Sequence, residues 1–83
     1  MKSTDTHFIS YDLNLTTSML ALGHKLDKIE KQTNGSALFF LERSNLLKEH
    51  ILLFWKKELS INVHDLFDSL KFIKSRIYSQ TID

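Results

Sequence analysis

Apolar and polar positions change their spacing several times along this chain, and each change marks an element. His7-Phe8-Ile9-Ser10 carries two adjacent β-favouring apolar residues and predicts a first strand or the approach to one. Asp12 then precedes Leu13, Leu15, Met19, Leu20 and Leu22, which share one side of a helix. Its carboxylate is placed to accept from free N–H groups of the first turn, and Gly23 supplies a left-handed residue to end the helix. Residues 24–32, HKLDKIEKQ, keep only Leu26 and Ile29 as apolar positions, a spacing that fits a bulged or edge strand as well as a helical turn. The segment that follows decides for the strand. TNGS places Asn34-Gly35 at the centre of a two-residue hairpin turn in which both residues can take positive φ, and SALFFLE beyond it alternates as a strand. Leu38 and Phe40 face one way, and Ala37, Phe39 and Leu41 the other. Such a strand is covered on both faces, or is central with cover on one side and a partner on the other.

Ser44 or Asn45 caps a second helix in which Leu46, Leu47, His50, Ile51, Leu53 and Phe54 form a broad apolar stripe. Leu52 and Trp55 fall outside it. A third helix starts at Asn62 as N-cap, with Asp65 in a capping-box position and Ile61 placed to pack on Leu66. Its inward face is Leu66, Leu70, Ile73 and Ile77. The predicted order is strand, helix, strand, strand, helix, helix. This is an α+β fold with a short, mainly antiparallel sheet, a hairpin at Asn34-Gly35 and helices packed on the sheet. If the first strand lies beside SALFFLE, the first three elements form a split βαβ unit.

Composition adds limits. With 83 residues, no proline and two glycines, residues 1–83 are expected to form a single compact domain, with loose termini over 1–6 and 80–83. Six Phe, one Trp and two Tyr provide enough apolar material for a core. The absence of cysteine excludes disulfides, thiolate metal sites and cysteine nucleophiles, and fits a reducing compartment. No apolar run approaches the roughly 18 to 20 residues of a membrane span, and MKSTDTHF lacks the basic start and apolar stretch of a signal peptide. A cytoplasmic protein with no membrane partner is the expectation. A formal net charge of +1 argues weakly against nucleic-acid binding, although clustering of charge matters more than its total.

With Tyr11-Asp12-Leu13, Leu15, Gly23, the Phe39-Phe40 strand, Phe54-Trp55 and the closing run Leu70 to Tyr78 in place, the chain resembles a small bacterial and phage family known only as domain of unknown function 5659. The resemblance runs from about Phe8 to Tyr78. It departs from the pattern at Thr16-Thr17, where small alanines usually sit in the first helix. The resemblance implies a compact stand-alone domain carried on mobile elements, and it implies no reaction.

The residues show no catalytic constellation either. His7, His24, His50 and His64 lie on four predicted elements without the i, i+3 or i, i+4 pairing that builds a metal face. His50 is expected as a satisfied residue on a core-facing stripe, and the other three as exposed. Acidic residues alternate with lysines, as in Asp27-Lys28-Ile29-Glu30-Lys31, the pattern of a solvated face. The chain is therefore read as no enzyme, with no metal, no cofactor and no indicated small-molecule substrate.

Two surfaces remain as candidates. On the third helix Phe67, Lys71, Lys74 and Tyr78 fall on one stripe, with Arg76 and Phe72 on the far side. The leading expectation is a nucleic-acid-binding accessory or regulatory domain. Lys71, Lys74, Arg76, Lys56 and Lys57 would contact phosphates and Tyr78 would stack, with Lys56 and Lys57 extending the patch if the last two helices lie antiparallel. The blander reading makes Phe67 and Tyr78 the edge of the core, with the lysine methylenes laid over them. The alternative function is a protein-interaction module, a small inhibitor or a homodimer, acting through Leu52 and Trp55. Its counter-reading is that a second layer covers both side chains.

Overall fold

A computed structural model describes residues 2–4 and 6–80. In chain order the elements are β1 (Lys2–Ser3), β2 (His7–Ser10), α1 (Leu13–Ala21), β3 (Leu26–Lys31), β4 (Ala37–Glu42), α2 (Asn45–Trp55) and α3 (Val63–Gln80). The predicted order holds, with the two-residue β1 added ahead of it. Residues 1, 5 and 81–83 of the expected loose ends lie outside the described residues.

The sheet order is β1-β2-β4-β3, and every neighbouring pair is antiparallel. Since β2 and β3 both run against β4, they are parallel to each other, and β2-α1-β3 is the split βαβ unit with β4 inserted at its centre. β3 is an edge strand whose register shifts between Leu26 and Lys28, so the charged segment is the bulged edge strand that its spacing allowed.

The β3–β4 connection corrects one detail. Gly35 N–H donates to Gln32 O and Gln32 N–H to Ser36 O. Among the described residues only Gly35, at φ 89°, and not Asn34, takes a positive φ in this loop. This is the three-residue hairpin loop with glycine in the left-handed position rather than a two-residue turn. Asn34 uses its side chain instead, and its Oδ1 accepts from Ser36 N–H and Ser36 Oγ–H.

Local chemistry fixes the helix ends. Asp12 Oδ1 accepts from Leu15 N–H, Ser44 Oγ from Leu47 N–H, and Asn62 Oδ1 from His64 and Asp65 N–H. At the end of α1, Gly23 (φ 96°) donates to Leu20 O and His24 N–H to Met19 O, a complete Schellman motif. The end of α2 repeats it, with Lys57 N–H on Phe54 O and Glu58 N–H on Leu53 O, but Lys57 occupies the left-handed position at φ 61°. A residue with a Cβ is strained there by about 1–2 kcal/mol. Lys57→Gly therefore raises stability by about 1 kcal/mol, read as a thermal midpoint several degrees higher. A midpoint at or below the parent's contradicts this account of the turn.

All three helices lie on one face of the sheet. Leu15, Met19, Leu41 and Leu47 form one buried cluster and Ile29, Phe39 and Ile73 another, with Leu20 and Leu26 packed against both. α1 is central. Its Thr16, Thr17 and Ser18 are buried; Thr16 Oγ1 donates to Asp12 O and Ser18 Oγ to Asn14 O. Thr17 Oγ1 makes no hydrogen bond. The departure at Thr16-Thr17 thus still allows α1 to pack closely against α3.

The other sheet face shields itself. His7 sits edge-on to Phe40 at 6.0 Å and bonds Asp27 at 2.7 Å, while Lys28 Nζ lies 4.5 Å from the Phe40 ring and 3.0 Å from Glu30. Ile9, Leu38 and Phe40 are consequently only half-exposed, with no second layer over them among the described residues.

Candidate functional site: an apolar track along helix α2

α2 buries less than its pattern predicts. Leu47 is fully buried, Ile51 and Phe54 pack partly buried on the same cluster, and Leu46, expected on the buried stripe, is 53% exposed. The reason is geometric: α2 borders the sheet at β2 and touches α1 along one side only, so a narrow stripe meets the core. Leu52 and Trp55, predicted outside that stripe, are 61% and 52% exposed. Among the described residues no second layer covers them.

These two side chains do not stand alone. Phe8 of β2 faces Leu47, Ile51 and Leu52 across an apolar groove whose remaining lining is Arg43 and Lys48. Lys48, Ile51, Leu52 and Trp55 follow the i, i+3, i+4, i+7 spacing of one helix face, so Trp55 continues the groove one turn further. Phe54 holds the indole from beneath, ring to ring at 5.0 Å and 83°. The guanidinium of Arg43 donates to Thr4 O, which ties the start of α2 to the turn before β2. Leu52 and Trp55 were legible as a surface. The groove was not, because Phe8 and Arg43 reach it from elements distant in sequence.

The cationic residues are distributed differently. Lys71, Lys74 and Tyr78 are exposed on one stripe of α3 with Phe67. Arg76 is half-buried on the opposite side, its guanidinium 5.6 Å from the Phe72 ring. Lys56 and Lys57 are exposed at the end of α2. α2 and α3 pack against α1 through different clusters and are not closely packed on each other among the described residues, so the extended antiparallel contact that would join these lysines to the α3 stripe is not formed there. Lys74 also lies about 16 Å along α3 from its first residue.

A second polar feature comes from residues 26 positions apart. His24 Nε2 and His50 Nδ1 are 2.7 Å from each other, with rings at 72°. This corrects the expectation of an exposed His24, which is half-buried because the Schellman turn after α1 directs it at α2; His7 is likewise half-buried, against Asp27. Only His64 of the three is exposed. Among the described residues no three metal-capable side chains converge.

The His24 imidazole titrates below its ordinary value, first through burial and then through the charge of His50. The hydrogen bond needs one ring nitrogen to accept, which a doubly protonated pair cannot provide. Folding thus favours neutral His24. The associated stability is fully present above the unfolded value of about 6.5 and is lost as pH falls through the lower folded value. Thermal midpoints should drop on acidification below about pH 6.5, and His24→Gln should flatten that drop. A parent and variant with parallel pH profiles would refute the assignment.

Fold and surface together define a small two-layer α+β domain that carries an uncovered apolar helix face. The chain belongs to the family described as Domain of unknown function (DUF5659), which matches residues 5–79. No curated protein and no solved structure matches it. No helix among the described residues is long and apolar enough to cross a membrane.

Proposed function

We propose that this chain is a non-catalytic protein-interaction module of bacterial or mobile-element type, working in the cytoplasm and receiving a protein partner on α2. The observation that carries this reading is the exposure of Leu52 and Trp55 beside the Phe8–Leu47–Ile51 groove. Large apolar side chains next to a preformed groove are where interface anchors concentrate. The absence of cysteine fits the reducing compartment. The test is selection of binding protein fragments by display on the folded chain, with Leu52→Asp and Trp55→Ala as counter-screens. Binders that lose affinity with both substitutions support the reading. A set indifferent to both contradicts it.

A second reading, nucleic-acid binding, is favoured by one observation: Lys71, Lys74 and Tyr78 are exposed together on α3. Two phosphate contacts predict about tenfold weaker binding for a fourfold rise in salt. That loss, measured with labelled single-stranded and duplex oligonucleotides, should shrink in Lys71→Ala/Lys74→Ala. No binding at low salt would end this reading.

A further inference from the structure

The charged residues that line the α2 groove are of one sign, with Glu42 and Glu49 outside the lining. The groove floor is Phe8, Leu47 and Ile51 and its rim Leu52, and both charged residues that line it, Arg43 and Lys48, are cations. The positive end of the α2 dipole lies at this end of the groove, since Arg43 and Ser44 lead into the helix at Asn45. Past Trp55 the track runs to Lys56 and Lys57, with Glu58 offsetting one of them. A partner seated here must supply apolar groups for the floor and negative charge for the rim.

Resting on the interaction reading above, we infer that the partner is an acidic amphipathic segment of another protein, with apolar anchors flanked by Asp or Glu. It seats the anchors between Phe8 and α2 and sets its carboxylates against Arg43 and Lys48. The run from Lys48 to Trp55 spans two helical turns, about 10 Å, which matches anchors at i, i+3/i+4 and i+7 of a docked helix. Arg43 spends one Nη1 donor on Thr4 O and keeps its remaining guanidinium donors for a carboxylate, and Lys48 offers a mobile point charge. Both side chains are exposed, so their charges sit on the rim and act mainly on selectivity and encounter rate.

The experiment selects from a display library of random peptides long enough for three helical turns, against the parent chain and against Arg43→Glu/Lys48→Glu. Melting curves first confirm that both are folded. The expected result is a set of peptides that need Leu52, carry apolar anchors with flanking Asp or Glu, and bind the charge-reversed chain about tenfold more weakly, while the reversed chain selects Lys- and Arg-flanked anchors. Leu52-dependent peptides without acidic bias, equally bound by both chains, overturn the inference and leave the interaction surface standing. Failure to select any Leu52-dependent peptide overturns both. Dodecanoate is the control for a small amphiphile: if it shifts Trp55 emission while no peptide is selected, the groove takes an acyl chain and the inference is overturned.

Discussion

Replacing Leu41 with alanine is expected to remove roughly 3–5 kcal/mol of stability, the cost of lost burial plus the cavity left behind. Leu41 is fully buried at the middle of the sheet, paired with Phe8 on one side and Leu26 on the other, and it joins α1 and α2 through Leu15, Met19 and Leu47. A chain of this length has on the order of 4–12 kcal/mol in total, so the substitution leaves a protein at the edge of folding. Its thermal midpoint should fall by about 20 °C or the transition should vanish. Leu38, on the same strand but the opposite face, is half-exposed, and Leu38→Ala should cost about 1 kcal/mol. Equal losses at the two positions, read from urea or thermal melts, would mean that the helices do not cover the face described here.

The second large effect is on binding. Trp55→Ala is expected to weaken binding of a partner by about 2–4 kcal/mol, roughly 30- to 1,000-fold, as removal of an aromatic anchor does. The chain's own stability should move by less than about 1 kcal/mol, because Trp55 is half-exposed and its ring contact is with the neighbouring Phe54. Leu52→Asp should lose as much through a carboxylate placed in the apolar track. The separation of effects is the informative part. Binding lost together with the fold would make α2 a structural helix, whereas binding lost from an intact fold assigns it to the interface.

Much of this architecture was legible in the sequence, for reasons that particular residues make plain. Asp12, Ser44 and Asn62 act as caps because a cap is a local hydrogen bond, fixed by residue type within three positions. The alternation of β4 and the inward face of α3 were readable because a period survives folding. The hairpin was placed correctly and its loop was one residue longer, since Gly35 alone takes the left-handed conformation. Leu46 was read as buried because a helical wheel does not record how many neighbours a helix will have. His24 and His50 meet, and Phe8 and Arg43 reach α2, only through long-range packing. No local spacing encodes such contacts.

Those long-range contacts also separate the cations. Lys56 and Lys57 and the α3 stripe carry the same charge pattern whether or not they are neighbours, and only the position of α1 between the helices distinguishes the cases. α2 thus holds its exposed apolar side chains and the cations of its groove in one place, whereas the α3 stripe stands apart from Lys56 and Lys57.

The most direct test uses the chain's single tryptophan. Emission and acrylamide quenching of Trp55 should be recorded for the isolated protein at low concentration and again with a selected binding fragment. The expected result is a solvent-like, readily quenched indole in the free chain that shifts to the blue and becomes protected on binding. An indole already blue and protected in the dilute monomer, or one whose emission is unchanged while the fragment is bound, would contradict the claim that α2 is the interface.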